Sequence, residues 1–244
     1  MSRKFEIRKE VTLDASPEQV WEAIATGPGL TSWFMTHEVE PGVGGVVRLT
    51  VGDFAAESRI TAWDPPRRLE VVGGTEEAPD AFEYLVEGRD GGSTVLRFTQ
   101  SGFAGDNWET EYEATKAGWD CYLRTLNEYL RHFFGRPVTF VYADGPAASA
   151  APEAWDRMLA ALGLDAPPVL GQQVRLTGPE PIEGVVDDVL ECYLGIRTAD
   201  ALLRFHGRSL LDMPIGVGHH YYLPDVDQEK ASESWTRWMA DALS

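Results

Sequence analysis

The chain has 244 residues, and its content of 43% hydrophobic, 11% aromatic and 25% charged residues excludes a disordered or fibrous protein. Its 39 acidic residues outnumber 21 basic ones, and the net charge of -18 disfavours nucleic acids and membrane surfaces as partners. Because Cys121 and Cys192 form no C-x-x-C pair, we expect neither a disulfide framework nor a thiolate zinc site, and we predict a reducing, cytoplasmic location. Residues 1–9 are polar and do not predict a signal peptide or a membrane span.

The first predicted elements are a strand and a short helix. Apolar side chains at positions 5, 7, 11 and 13 mostly follow the period of a half-buried strand. Ser16 then precedes Pro17, with Gln19 three residues after Ser16, which is a capping box with proline at the first helical position. Gly27-Pro28-Gly29 predicts the end of this helix. An aromatic knot follows, formed by Leu30, Trp33, Phe34 and Met35.

Short β-rich runs separated by turn residues predict an antiparallel meander in the middle of the first half. The runs are residues 46–51, 58–63, 69–72, 81–86 and 93–100. Beyond residue 103 the apolar period changes to that of a helix, from Tyr112 to Leu130. We therefore predict one long amphipathic helix that ends before Gly135.

The second half repeats this order in a shorter form. A strand is predicted at 138–142, the sequence PEAW at 152–155 echoes PEQVW at 17–21, and VRLT at 174–177 repeats VRLT at 47–50. Further strands at 201–207 and 218–223 and an amphipathic helix at 233–243 follow. Duplication and chance similarity both account for these echoes. We predict a domain at 1–135 and a shortened, divergent copy at 136–244, in which the absence of a Trp33-Phe34 counterpart argues against an equivalent cavity.

The motifs of the first half resemble those of a known family. They are SPEQVW at 16–21, LTSWF at 30–34, GG at 44–45, DPPRRL at 64–69, STVLRFTQSGF at 93–103 and the helical segment at 118–126. With them, residues 1–135 resemble the START-like (SRPBCC) helix-grip superfamily of lipid-transfer and birch-pollen-allergen-like domains. Within it, they are most similar to the family related to the activator of the heat-shock-protein-90 ATPase. The resemblance implies an α+β fold with a curved antiparallel sheet wrapped around a long C-terminal helix, two such domains in tandem, and a cavity between sheet and helix.

Motifs that carry catalytic or metal chemistry are missing from the sequence. It contains no G-x-S-x-G elbow, no H-E-x-x-H helix and no phosphate-binding G-x-x-x-x-G-K loop. His219 and His220 would point to opposite faces of a strand and would not share one metal ion. We therefore predict no cofactor, no metal site and no catalytic residue.

Aromatic side chains on the predicted helix and strands form the candidate ligand site. The candidates are Trp33, Phe34, Trp63, Phe82, Tyr84, Phe98, Phe103, Trp119, Tyr122 and Leu126. Core packing explains any one of them, whereas the whole set, in a fold that leaves space under its helix, favours a cavity. Arg48 and Arg97 are further candidates because an inward-facing arginine would bind a ligand carboxylate or phenolate, and the alternative places each on the outer face of the sheet.

Three functional hypotheses follow. The first is non-catalytic binding of a small hydrophobic or aromatic molecule. The second is a chaperone-activator-like module that binds a protein. The eukaryotic activators carry an additional amino-terminal chaperone-binding domain, and this difference weakens the transfer of their function to this chain. The third is an enzyme that resembles polyketide cyclases and aromatases, and its sign would be an ionisable group, such as Arg48, Arg97 or Tyr84, that points into the cavity with a perturbed pKa.

Overall fold

Two antiparallel sheets organise the chain, which divides into compact units at residues 1–135 and 136–244. The computed structural model describes residues 3–104 and 108–244. Each unit combines one sheet with helices, so the predicted α+β class, with two helix-grip-like units in tandem, is confirmed.

In the described part of the first unit, the sheet has seven strands. They are β1 (Arg3–Leu13), β2 (Thr36–Val39), β3 (Val46–Val51), β4 (Phe54–Asp64), β5 (Arg68–Gly74), β6 (Pro79–Gly88) and β7 (Thr94–Ala104). The helices are α1 (Pro17–Ala25), α2 (Gly27–Thr31) and α3 (Trp108–His132). The strand order is β1-β7-β6-β5-β4-β3-β2, so the first strand pairs with the last and the others form a meander.

The capping box predicted at α1 is confirmed. The Ser16 hydroxyl accepts a hydrogen bond from the Gln19 backbone N–H at 3.3 Å, and the Gln19 side chain accepts one from the Ser16 N–H at 2.9 Å. These two bonds satisfy amide donors that the first turn of a helix leaves without partners.

Residues 27–29 begin a second helix rather than only ending the first, which corrects the sequence prediction. The Thr26 hydroxyl accepts from the Gly29 N–H at 3.0 Å and donates to the Glu22 carbonyl at 2.8 Å, so one side chain joins the end of α1 to the start of α2. A Cβ at Gly29 would stand 2.0 Å from the Glu22 carbonyl oxygen, which only glycine avoids. The predicted stop was therefore a tight junction between two helices.

In the second unit, the described sheet has six strands. They are β8 (Thr139–Asp144), β9 (Gln173–Leu176), β10 (Ile182–Leu190), β11 (Tyr193–Arg197), β12 (Ala201–His206) and β13 (Gly216–Tyr221). The longer helices are α4 (Ala154–Ala161) and α5 (Gln228–Leu243). The order β8-β13-β12-β11-β10-β9 again pairs the first strand with the last.

The second sheet matches the first strand for strand when β2 is left out. In this correspondence β8 takes the place of β1 and β9 that of β3, so the repeated letters at 47–50 and 174–177 fall on equivalent strands. Strands β10 and β11 were not predicted, because Asp187, Asp188 and Glu191 interrupt their apolar pattern. The duplication stays a prediction, and the shared topology supports it.

A buried ion pair joins β10 to β12. The guanidinium of Arg204 donates to both carboxylate oxygens of Asp187 at 2.9 Å, and both side chains are only 3% exposed. Burial acts to lower the pKa of Arg204, but the charge of Asp187 and its hydrogen bonds, together with Tyr193 and Tyr222, outweigh this effect and raise the pKa, so the arginine stays charged. Next to this pair, the His219 Nδ1 accepts the Arg204 backbone N–H at 3.0 Å.

We expect Asp187→Asn to lower the free energy of unfolding of the protein by about 3–5 kcal/mol, because it leaves the buried guanidinium without its counter-charge. Urea unfolding followed by tryptophan fluorescence measures the change. The matched control is Glu183→Gln, which breaks the Arg175–Glu183 pair at 3.1 Å between side chains 84% and 71% exposed. The control should barely move the midpoint, and equal effects of the two variants would contradict a structural role for the buried pair.

Candidate functional site

An internal cavity of about 230 Å³ lies in the first unit, bordered by its sheet, α1, α2 and α3. The apolar lining comprises Ile24, Ala25, Leu30, Phe34, Val39, Val47, Leu49, Phe54, Ala56, Ile60, Leu69, Val71, Phe82 and Trp119. The polar or ionisable residues at its wall are His37, Glu57, Ser58, Asp80 and Tyr84. The cavity is therefore mostly apolar with a few polar groups, which is the usual make-up of a small-molecule site.

Strand alternation produces this lining. Side chains two apart on one strand share a face, so Val47 and Leu49, like Phe82 and Tyr84, reach the cavity together. Arg48 lies between the first two on the opposite face. These strands therefore present apolar side chains to the cavity and polar side chains to the solvent.

Of the predicted site residues, Phe34, Phe82, Tyr84 and Trp119 line the cavity. Leu126 is fully buried in the core and does not line the cavity. The next layer comprises Phe98, 4.0 Å from Trp119 between ring centroids, Tyr122, 4.5 Å from Phe34, and Trp33, 5.6 Å from Phe34. These side chains support the lining instead of forming it.

Two predicted aromatic candidates lie elsewhere. The Trp63 ring packs edge-on against Trp21 with centroids 5.0 Å apart. Phe103 is 38% exposed and borders a separate surface pocket with Phe5 and Tyr112. Trp63 lies on β4 and Phe103 on β7, but neither lines the cavity.

The inward role considered for Arg48 and Arg97 is wrong. Arg48 donates to Glu57 at 2.9 Å and to Glu40 at 3.3 Å. Arg97 donates to Glu10 at 2.7 Å and to Glu87 at 2.8 Å. Each arginine pairs with carboxylates of its own and neighbouring segments on the solvent side of the sheet, the alternative that the sequence left open.

Trp119 of α3 connects the aromatic lining to a chain of polar side chains. Its ring packs on Phe98, and its indole N–H donates to the Gln100 side-chain oxygen at 2.6 Å. The Gln100 amide nitrogen then donates to Asp80 Oδ1 at 3.1 Å. Gly102 leaves room for this carboxylate, since a Cβ there would lie 2.9 Å from Asp80 Oδ1 and 3.1 Å from the Phe5 ring.

The second unit repeats this arrangement with other residues. Trp235 of α5 packs on His219 of β13 at 4.5 Å, and its indole N–H donates to the hydroxyl of Tyr221, two residues further along the strand. Trp119 contacts Phe98 and Gln100 of β7 at the same spacing. An open groove of about 710 Å³ borders Trp235 and Tyr221, together with Ala201 and Leu203 of β12.

These pairings define equivalent positions in the two units. Tyr84 stands opposite Phe98 and Phe82 opposite Gln100 in the first sheet, whereas Ala201 stands opposite Tyr221 in the second. Ala201 thus occupies the position of Phe82. The smaller side chain is one reason why the second unit has a wide groove where the first has a narrow cavity.

Burial shifts three of the ionisable groups at the first cavity, those of Asp80, Tyr84 and His37, towards their neutral forms. It raises the pKa of Asp80, partly offset by the hydrogen bond from Gln100, and it raises the pKa of Tyr84. It lowers the pKa of His37, whose Nδ1 lies 2.8 Å from the Met35 carbonyl oxygen, a hydrogen bond that acts in the opposite direction. The cavity is therefore an environment that disfavours charge. Tyr84 shows the sign expected of the enzyme hypothesis, but its raised pKa keeps the hydroxyl protonated, which suits a hydrogen-bond donor and not a general base.

Sequence reasoning missed His37, Asp80 and Gln100. Gln100 carried a usable signal, because it lies two residues after Phe98 on one strand and so shares its inward face. Asp80 and His37 had no such sequence signal, because each lies next to turn residues and reaches the cavity only through the tertiary fold.

Neither a cluster of metal ligands nor a membrane-spanning helix is present in the described part of the chain. Among residues 3–104 and 108–244, no group of three or more His, Cys, Asp and Glu side chains is placed to hold a metal ion. None of the described helices is both long enough and apolar enough to span a membrane.

We predict that Asp80→Asn stabilises the protein at neutral pH, because it removes a charge that burial disfavours and keeps an acceptor for Gln100. An acid with a raised pKa in the folded state contributes stability at low pH that is lost as the pH rises through that pKa. The advantage of the variant should thus be largest near pH 7 and vanish below about pH 4, the ordinary pKa of aspartate. Thermal unfolding across this range measures it, and a variant less stable than the wild type at pH 7 would refute the prediction.

Comparisons with known proteins agree with this geometry for the first unit. A family model described as Activator of Hsp90 ATPase homolog 1-like protein matches residues 14–131. A search of curated proteins found no match.

Solved structures similar to the chain come from several bacteria. Protein MLL2253 from Mesorhizobium loti is 21% identical over 53% of this chain and 98% of its own, with a TM-score of 0.47. Protein BH1534 from Bacillus halodurans is 23% identical over 53% of this chain and 99% of its own, with a TM-score of 0.47. A structure described as the Aha1 dimer from Colwellia psychrerythraea is 19% identical over 52% of this chain and 96% of its own, with a TM-score of 0.43.

The segment matched by the family model lies within the first unit and includes α1, α2, β2 to β7 and nearly all of α3. Residues 14–131 thus match the Activator of Hsp90 ATPase homolog 1-like family, as the sequence motifs of this unit predicted.

Proposed function

We propose that the first unit binds a small, uncharged, apolar or aromatic molecule in its cavity without catalysing a reaction. The family match supports a ligand-binding or chaperone-activator-like module. The observation that carries the choice between them is the apolar cavity itself, which a module acting only through its outer surface does not need. A cytoplasmic location remains a prediction.

The cavity volume limits the size of the ligand. A protein cavity of about 150 Å³ lined by apolar side chains is large enough to bind benzene. At about 230 Å³, the cavity of the first unit suits a molecule of one or two rings.

The electrostatics of the wall favour a neutral ligand. None of the described residues that line the cavity is lysine or arginine. A ligand carboxylate would therefore lose its hydration without gaining a cationic partner, since Arg48 and Arg97 lie on the outer face. A ligand cation would also lose its hydration, and although Asp80 could pair with it, burial raises the pKa of that carboxyl and so disfavours its charged form.

We expect the cavity to be filled by Val71→Phe, because Val71 is buried and lines the empty volume. The variant should keep its melting temperature near that of the wild type and lose binding of naphthalene, a two-ring probe. Isothermal titration calorimetry measures the affinity for naphthalene. A rise in the melting temperature of the wild type on addition of naphthalene would show that the native state binds this probe.

The matched control is Val95→Phe, because Val95 is equally buried on a strand but does not line the cavity. Overpacking at this position should cost about 1–3 kcal/mol of stability and leave naphthalene binding intact. Binding by Val71→Phe as tight as that of the wild type would contradict the proposed site. A wild type that binds no one-ring or two-ring probe would favour the protein-interaction hypothesis.

A further inference from the structure

The polar chain at the cavity wall has a fixed direction. An indole N–H can only donate, so the Gln100 atom 2.6 Å from Trp119 Nε1 must be its carbonyl oxygen. The amide nitrogen of Gln100 therefore faces Asp80 and donates to Oδ1 at 3.1 Å. The chain runs from donor to acceptor through both links and ends on an acceptor.

The carboxylate at the end of this chain has unused hydrogen-bonding capacity. Two carboxylate oxygens offer about four acceptor sites. Among the described residues, Gln100 alone hydrogen bonds to the side chain of Asp80. Asp80 is half-buried and borders both the cavity and the surface pocket beside Phe103, so the acceptor sites on its cavity side are available to a molecule inside.

A free acceptor in an apolar cavity discriminates between ligands. A buried polar group that is left without a partner costs free energy, so a ligand that supplies the missing donor gains over an apolar ligand of the same shape. A hydroxyl group fits this position well because it donates to a carboxylate and can also accept from a carboxylic acid.

We propose that Asp80 is the specificity-determining residue of the cavity and selects neutral one-ring or two-ring molecules that carry a hydroxyl group, which donates its hydrogen to the Asp80 carboxylate. This inference rests on the proposed function and adds the chemical class of the ligand. Gln100 and Trp119 act as positioning residues, since they hold the carboxylate towards the cavity without using its free acceptor sites.

The test compares three probes of nearly the same shape at pH 7: naphthalene, 2-naphthol and 2-methoxynaphthalene. The methyl ether keeps the oxygen acceptor of the naphthol and removes its donor. We expect the wild type to bind 2-naphthol about tenfold more tightly than the ether, the value of roughly one hydrogen bond to a charged group. Calorimetric titration provides the three dissociation constants.

Asp80→Asn should remove or reverse this preference. Its amide oxygen can accept from Gln100 while its amide nitrogen, now a donor, is available to the ether oxygen. Asp64→Asn is the matched control, because Asp64 pairs with Arg67 on the surface and does not line the cavity. The control should keep the naphthol preference of the wild type.

A second variant moves the carboxylate without replacing it. Gly102→Ala places a methyl group against Asp80 Oδ1, so it should reduce the naphthol preference while naphthalene still binds. Equal affinities of the wild type for all three probes, or an unchanged preference in Asp80→Asn, would overturn the role of Asp80 and leave the proposed function standing. Failure of all three probes to bind would overturn both.

Discussion

The pairing of the first strand with the last is the constraint on which both units depend. In the first unit β1 and β7 pair along their whole length, from Arg3 opposite Ala104 to Leu13 opposite Thr94, and in the second unit β8 pairs with β13. This pairing brings the chain to the end of the sheet just before its closing helix. The helix must then return across the inner face of the sheet. In each unit this path places one tryptophan of the helix against the last strand. The site in the first unit follows from this geometry.

Trp119 and Trp235 show how the same framework supports different interiors. Each indole packs on an aromatic ring of the last strand and donates to a side chain two residues further along it. In the first unit the acceptor is Gln100, which passes the hydrogen bond on to Asp80. In the second unit it is Tyr221, next to a wide groove. The tryptophan is thus a structural anchor in both units, while the residue that accepts from it differs between them.

The elements that were predicted well are those whose signal is local. The capping box at Ser16 and the period of α3 depend on neighbours in sequence, and both are present in the structure. The end of α1 before Gly27 is confirmed, but the start of α2 at the same residues was missed, because a glycine can end one helix and begin the next, and the choice depends on the Thr26 side chain. For the site, aromatic content identified Phe34, Phe82, Tyr84 and Trp119, but it could not separate lining from supporting layers, and Asp80 joins the site only through pairing of distant strands.

Gly102 couples two positions that are far apart in the sequence. The carboxylate of Asp80 occupies the space that any larger side chain at position 102 would fill. A change at either position therefore alters the selective pressure on the other: a chain that loses the carboxylate no longer needs glycine, and a chain that loses glycine cannot keep the carboxylate in place. Among related sequences, residues 80 and 102 should consequently covary, and a pair conserved as aspartate and glycine would mark the relatives that share this packing.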